Sequence, residues 1–259
     1  MSDYEQRFGG IARLYGRDSL EKLRAAHVAV IGIGGVGTWA AEALARSGIG
    51  AITLVDLDEI CVTNVNRQLH ALDETIGRSK VEVMAERVRA IHPGCRVTAV
   101  GEFFTAANAD ALLGGELNAV VDAIDSLSHK VALLVACHAR KLPAITCGAA
   151  GGRRDPTAVR VSDLANATHD RLLTEVRRCL RKEHGFPAGD KPFGITAVFS
   201  HERPVYPQQD GTVCTKRDRA ALEGGSRMNC DLGFGSATFV TGTFGFAAAG
   251  ALVKRIAAA

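Results

Sequence analysis

The feature that most constrains this chain is a glycine-rich turn between an apolar run and a helical pattern. The sequence GIGGVG at residues 32–37 follows a run rich in valine and isoleucine and precedes an alanine-rich segment. Glycines permit a tight turn, and the free N–H groups of a helix N-terminus bind anions. Asp56 ends the next apolar run, where a carboxylate can accept the hydroxyls of a ribose. The sequence therefore predicts a nucleotide site.

Strand-like and helix-like patterns alternate along the rest of the first half. We predict strands at residues 27–33, 51–56, 96–100, 118–123 and 144–147, and helices at 35–47, 78–91, 106–113 and 126–141. Alternation at this spacing predicts an α/β fold, with a doubly wound, mostly parallel, Rossmann-like sheet and helices on both faces. We expect a single domain, 1–259, in which residues 1–150 form the nucleotide-binding half and residues 151–259 the substrate-binding half.

The second half has a looser rhythm. We predict strands at 158–161 and 193–199, a basic amphipathic helix at 171–182, and a polar loop or lid at 204–227. The segment 232–253 carries no charge and is long enough to cross a bilayer. Its small residues insert weakly but pack tightly, so we predict a buried core or dimer helix in preference to membrane association.

Composition narrows the class and the compartment. The chain has 259 residues, 47% of them hydrophobic, and a net charge of +3, which is typical of a globular protein. Its seven cysteines include no Cys-x-x-Cys pair, and no secretory signal opens the sequence. We therefore expect a cytoplasmic protein with mostly buried thiols and no structural zinc.

Charged residues after the turn distinguish between nucleotides. Arg67 and Lys80 follow the second apolar run, and Asp122 and Asp125 follow the fourth. A hydride-transfer site has no need of cations beside the phosphates of its cofactor. A site that cleaves a triphosphate needs them, because they balance the charge that develops as a bond to phosphorus breaks. Simpler interpretations remain open: Arg67 as a surface ion-pair partner, Lys80 as a solvated helix residue, and Asp122 as a helix cap or strand end. The chain has no Walker-type Gly-Lys-Ser/Thr motif.

Four motifs in this order, GIGGVG, DLDEICVTNVNRQ, Lys80 and DAIDS, resemble the ubiquitin-activating-type adenylyltransferase superfamily, which includes the molybdopterin and thiamine adenylyltransferases. The resemblance implies ATP and Mg²⁺ as cofactors and attack of a carboxylate on the α-phosphate. It assigns the ATP site to Gly32, Gly34, Gly35, Gly37, Asp56, Asp58, Asn64, Arg67, Gln68, Lys80, Asp122, Asp125 and Ser126. Catalytic roles fall to Arg67, Lys80, Asp125 and Arg13, with the magnesium on Asp125. In the superfamily's homodimers an arginine matching Arg13 reaches the neighbouring subunit's ATP.

One branch of the superfamily matches further. The stretches RFGGIARLYG, NRQLHAL, GAAGGRRDPT, VYPQQDGTVC and MNCDLGFGSATFVTGTFGF resemble the tRNA threonylcarbamoyladenosine dehydratases over nearly the whole chain. That resemblance implies ATP-dependent cyclisation of the threonylcarbamoyl group of a modified adenosine to an oxazolone. The alternative is an adenylyltransferase that activates the C-terminus of a ubiquitin-like sulfur carrier, although the zinc-binding cysteine pairs common in that branch are missing. A non-catalytic nucleotide-binding scaffold and an NAD-linked oxidoreductase also stay open.

Basic residues suggest where a tRNA could bind. The candidates are Arg153, Arg154, Arg177, Arg178, Arg181 and Lys182, with further cations at Lys216, Arg217, Arg219 and Arg227. An ordinary solvated helix face explains the cluster at 177–182 equally well. Cys230, and less so Cys214, are candidates for a reactive thiol that works with a sulfur-transfer partner, although a lone cysteine is more often a small buried hydrophobe.

Overall fold

A computed structural model gives the fold and describes residues 2–189, 191–208, 210–215 and 234–259. Its helices are α1 (Asp3–Tyr15), α2 (Arg17–Ala25), α3 (Gly37–Arg46), α4 (Lys80–Ile91), α5 (Ala109–Leu113), α6 (Leu127–Ala139), α7 (Arg171–His184) and α8 (Thr238–Ala258). Its strands are β1 (His27–Ile31), β2 (Ala51–Val55), β3 (Arg96–Val100), β4 (Ala119–Asp122), β5 (Ala144–Cys147), β6 (Val159–Asp163), β7 (Thr196–Ser200), β8 (Tyr206–Pro207) and β9 (Val213–Cys214).

Seven strands form one sheet in the order β3-β2-β1-β4-β5-β7-β6. Neighbours pair in parallel except β6 and β7, which are antiparallel. Strand order reverses between β1 and β4, and in open α/β sheets the crevice at such a reversal is where ligands bind. The predicted doubly wound, Rossmann-like α/β fold is confirmed, and its crevice lies at the glycine turn.

Helices cover both faces of the sheet. The largest core cluster joins apolar residues of α3, α4 and α8 to one face of β1 and β2, and a second cluster joins α5 and α6 to the other face. α8 packs closely on α3, since a Cβ built on Gly245 would lie 2.6 Å from the carbonyl oxygen of Val36. This contact places α8 directly behind the glycine turn.

Several element bounds differ from the sequence predictions. β1 stops at Ile31 because Gly32, with φ of +91°, turns the chain out of the strand. The strand predicted at 158–161 extends to Asp163, and the one predicted at 193–199 begins only at Thr196.

The uncharged segment forms a helix that begins at Thr238, while residues 232–233 lie outside the described ranges. Within the part of the chain that the structure describes, no helix has the length and apolarity of a membrane span. The helix instead buries Val240, Phe244, Ala248 and Leu252 in the core, as predicted for a core helix.

Candidate functional site

The glycine turn at 32–37 is built for close backbone packing. A Cβ on Gly32 would lie 2.8 Å from the carbonyl oxygen of Ala123, and one on Gly37 would lie 1.8 Å from the carbonyl oxygen of Gly32. Both positions therefore require glycine. The turn ends in the first residues of α3, whose amide groups face the crevice between β1 and β4.

Asp56 is held by backbone amides at the end of β2. Its Oδ2 accepts the amide of Ile33 at 2.6 Å, and its Oδ1 accepts the amide of Asp58 at 2.9 Å. Burial raises the pKa of Asp56, while the charge of Lys80 and these two amides act in the opposite direction. The carboxylate is thus fixed beside the glycine turn, in the position where a ribose would bind.

Lys80 is the first residue of α4 and is only 6% exposed, so the interpretation as a solvated helix residue is wrong. Its ammonium nitrogen lies 2.7 Å from Oδ2 of Asp58, whose side chain is half exposed. The amide of Lys80 also donates to the carbonyl of Asp58. One carboxylate and one buried cation are therefore fixed together next to Asp56.

The loop at 64–68 carries Arg67 over the glycine turn. Asn64 is buried, and its Oδ1 accepts the amide of Cys61, which shapes the loop. Arg67 donates from Nη1 to the carbonyl of Thr63 and has no carboxylate partner within the described ranges, so the surface ion-pair interpretation finds no support. Gln68 is buried with an unpaired Oε1.

The backbone of this loop is anchored from behind. The carbonyl of Arg67 accepts the indole N–H of Trp39 at 3.1 Å and the hydroxyl of Thr241 at 3.2 Å. His70 lies beneath the turn, with Nε2 at 3.1 Å from the carbonyl of Ile33. His70 was not predicted to belong to the site, although its position two residues after Gln68 was a signal.

The two carboxylates of DAIDS have different environments. Asp122 is 0% exposed; its Oδ2 lies 2.8 Å from the ammonium of Lys130 and accepts the hydroxyl of Thr146, and its Oδ1 accepts the amide of Ile124. The prediction that Asp122 touches ATP is therefore corrected, because its charge is enclosed and neutralised behind the turn. Asp125, by contrast, is exposed at the crevice. A single lysine among the apolar residues of LSHKVALLV was the missed signal for this pair.

The remaining predicted site residues lie at the margins. Ser126 is the N-cap residue of α6, directly after Asp125. Arg13 is exposed on α1, whose Tyr4 and Arg7 contact Gly48 and Ile91 away from the glycine turn. The structure thus does not bring Arg13 to the ATP site of its own chain.

Three basic candidates are engaged by the protein itself. Arg153 is buried and donates to the carbonyl of His169, so it is no surface cation. Arg177 donates to the carbonyls of Leu164 and Ala167, and Arg181 to those of Pro187 and Gly189. The exposed basic surface is therefore smaller than predicted, because these three guanidinium groups hydrogen-bond to backbone carbonyls.

The other basic candidates are exposed. Arg154 has Glu202 as its neighbour at 3.8 Å, Arg178 pairs with Glu175, and Lys182 is solvent-facing. A shallow groove on α7 is lined by Thr174, Arg177, Arg178, Arg181 and Lys182. The cations at 216, 217, 219 and 227 and Cys230 fall outside the described residues.

The prediction of mostly buried thiols holds for three of the cysteines that the structure describes. Cys95, Cys137 and Cys147 are buried, and burial raises their pKa values to about 11, 12 and 12. Cys61 is exposed and Cys214 half-buried. In the residues that the structure covers, no three His, Cys, Asp or Glu side chains are grouped as a metal site.

A nucleotide crevice with two cations and the exposed carboxylate of Asp125 agrees with the ThiF family. The model of the ThiF family matches residues 9–258. The chain belongs to the ThiF family.

Within the ThiF family, the chain is highly similar to enzymes of one kind. The tRNA threonylcarbamoyladenosine dehydratase of Escherichia coli K12 is 51% identical over 256 residues, covering 98% of this chain and 95% of that protein. The crystal structure of the E. coli dehydratase TcdA in complex with ATP superposes with a TM-score of 0.87 at 46% identity, covering 99% of this chain and 96% of that one.

Similarity to ThiF-family adenylyltransferases is more limited. The molybdopterin-synthase adenylyltransferase of E. coli K12 is 34% identical over 136 residues, which is 52% of this chain. That match covers about half of this chain, whereas the match to the dehydratase covers almost all of it.

Proposed function

We propose that this protein is an ATP-dependent tRNA-modifying dehydratase, which cyclises the threonylcarbamoyl group of a modified adenosine in tRNA to the oxazolone form. The observation that carries the proposal is the near full-length similarity to a dehydratase of that name, 51% identical. The crevice supports the same chemistry, because its cations suit a triphosphate rather than a nicotinamide.

The chain's own residues would divide the work. The turn at 32–37 and the N-terminus of α3 hold phosphate oxygens, and Asp56 holds the ribose. Lys80 and Arg67 face the triphosphate and stabilise the charge that grows on departing pyrophosphate. Asp125 would hold Mg²⁺, which it fits because its carboxylate is exposed and unpaired within the described ranges. The bound ion would supply further charge neutralisation at the phosphates.

The reaction balances without a protein nucleophile. The threonyl carboxylate attacks the α-phosphorus, and the bond to pyrophosphate breaks. The carbamoyl oxygen then attacks the activated acyl carbon, AMP leaves, and the ureido nitrogen loses a proton as the ring closes. ATP thus becomes AMP and pyrophosphate while the substrate loses the elements of one water. Because both reacting groups belong to one substrate, ring closure is intramolecular and needs no catalytic cysteine.

The proposal also covers the oligomeric state, the compartment and a partner protein. We propose a homodimer in which Arg13 enters the partner's site, since Arg13 is exposed on α1 and does not reach the ATP site of its own chain. We also propose a cytoplasmic protein, since its substrate would be tRNA. A sulfur-transfer partner and a reactive Cys230 remain predictions from the sequence.

The exposed residues of the α7 groove, Arg178 and Lys182, are proposed to contact tRNA phosphates. Replacing both by alanine should weaken tRNA binding and flatten the log–log salt dependence by about 0.7 to 0.9 per lost contact. The control replaces Lys254 and Arg255, which are also exposed and lie on α8. Unchanged affinity and salt slope would return the α7 groove to an ordinary solvated face.

The proposed activity is tested by incubating the protein with MgATP and tRNA that carries the threonylcarbamoyl group. Mass spectrometry of the nucleosides should show loss of one water, with one AMP formed per cyclised nucleoside. Controls omit ATP or use tRNA without the group. Adenylation of a sulfur-carrier protein without any change in the tRNA would favour the alternative enzyme, and tight NAD binding without ATP binding would refute adenylation altogether.

A further inference from the structure

Arg153 is a buried cation that its surroundings leave incompletely bonded. It follows β5 at the carboxyl edge of the sheet and is 3% exposed. A guanidinium has five N–H donors, and here Nη2 donates to the carbonyl of His169. Nε and Nη1 are buried and have no hydrogen-bond partner in the described ranges. Burying donors of a charged group without partners is strongly unfavourable, so a purely structural role leaves this arrangement unexplained.

The nearby carboxylates are occupied elsewhere. Asp170 accepts the amides of Ala149 and Leu173, and Glu202 accepts the amides of Arg154 and Asp155. Within the described ranges neither carboxylate comes close enough to Arg153 for an ion pair. Burial lowers the pKa of Arg153, and the charges of Asp170 and Glu202 only oppose that effect. The positive charge is therefore available to a ligand anion.

The backbone around Arg153 adopts conformations that are otherwise unfavourable. His169, whose carbonyl accepts the guanidinium, has φ of +53°, which is uncommon for a residue other than glycine. Gly152 has φ of +73°, and a Cβ there would lie 2.8 Å from the carbonyl oxygen of Val205. Strained non-glycine residues such as His169 cluster at ligand-binding sites, while the glycine at 152 lets the chain turn without strain directly before Arg153.

The sheet order places Arg153 next to the reacting end of a nucleotide. Asp56 ends β2, the glycine turn follows β1, Asp125 follows β4, and Arg153 follows β5, which is the next strand in the sheet. Neighbouring strands are about 4.8 Å apart. A nucleotide bound across the ends of β2, β1 and β4 leaves the position over the end of β5 for the substrate group that attacks its α-phosphate.

We propose that Arg153 binds the carboxylate of the threonyl group and holds it toward the α-phosphate. This inference rests on the proposed function and names the recognition residue for its substrate. A buried guanidinium suits a small carboxylate better than a phosphodiester of the RNA backbone. The phosphodiester is joined to the rest of the RNA on both sides and cannot enter a buried position alone. Arg154, adjacent in sequence but exposed and beside Glu202, is better placed for phosphates and provides the matched control.

The test compares three anticodon stem-loop RNAs, with a non-hydrolysable ATP analogue bound so that no reaction occurs. One RNA carries the threonylcarbamoyl group, one carries its neutral carboxamide, and one is unmodified. Arg153→Gln should weaken binding of the carboxylate RNA by about 10- to 100-fold, as for loss of a hydrogen bond to a charged group. Binding of the other two RNAs, and ATP affinity, should not change. Arg154→Gln should not discriminate between the carboxylate and carboxamide RNAs.

Each outcome decides the proposal. Equal weakening of all three RNAs would assign Arg153 to phosphate, and no weakening of any would leave it a structural residue; both overturn the inference. If Arg153→Gln and Arg153→Met both fail to fold, the affinities of the wild-type protein for the RNAs provide the test. It should then bind the carboxylate RNA at least 10-fold more tightly than the carboxamide RNA, and equal affinities would overturn the inference. A wild-type protein that prefers the carboxylate but never cyclises it would refute the proposed function and leave this inference standing.

Discussion

Replacing Lys130 by methionine should destabilise the protein by an amount that depends on pH. Lys130 and Asp122 are both fully buried and lie 2.8 Å apart, so the variant leaves a carboxylate enclosed without its cation. The carboxylate can escape that state by taking up a proton. From an ordinary aspartate pKa of 3.9 in the unfolded chain, this costs about 4 kcal/mol at pH 7 and about 1.5 kcal/mol at pH 5. The larger value agrees with the 3–5 kcal/mol typical of a broken buried pair.

The assay is urea unfolding of wild type and variant at both pH values. Trp39, the single tryptophan, reports on the loop beneath Arg67, and circular dichroism reports on the helices. The double variant Lys130→Met with Asp122→Asn removes both charges and keeps the side-chain volumes, so it should lie within about 2 kcal/mol of wild type. A loss below about 1 kcal/mol in the single variant, or the same loss at both pH values, would refute the reasoning.

Three further predictions concern the site. Lys80→Ala should fold normally yet lose about 10²–10³ in AMP formation, whereas Lys22→Ala on the surface of α2 should not; wild-type turnover would remove Lys80 from the site. Mixing Arg13→Ala with Asp125→Ala protein should restore up to about a quarter of the activity if Arg13 acts across a two-fold dimer, and no recovery despite subunit exchange would exclude this. Burial lowers the pKa of His70 to about 4, so the contribution of the neutral imidazole to folding stability is complete above pH 6.5 and declines as the pH falls from 6.5 toward 4. His70→Gln should abolish this part of the pH dependence in unfolding experiments. An unchanged pH profile in the variant would contradict the assignment to His70.

The sequence predicted what depends on neighbours in the chain. The turn at 32–37 and Asp56 could be identified because glycine conformation and strand ends are local properties. The sequence could not show that Asp122 is enclosed and neutralised, since this depends on Lys130 reaching back from α6 to the end of β4. Such a contact depends on how a helix packs on its strand, and charge patterning alone does not reveal it.

The basic helix shows the same limit. Periodicity located α7 well, but it gave no sign that Arg177 and Arg181 would donate to carbonyls in the segments before and after the helix. Arg153 was predicted among the basic residues that could bind tRNA, and its burial was missed because it is produced by segments at 169–170 and 204–205 that are distant in sequence.

The contacts of α8 bear on how the site forms during synthesis. Thr238 and Thr241 donate to the carbonyls of Asn66 and Arg67, and Ser236 accepts the side-chain amide of Asn66. A ribosome that has made the glycine turn, Asp56 and Lys80 has therefore not yet made the residues that hold the loop between them. We expect a nascent chain that ends before residue 236 to bind ATP poorly, because the threonines that hold the loop come 172 and 174 residues after the backbone they bind.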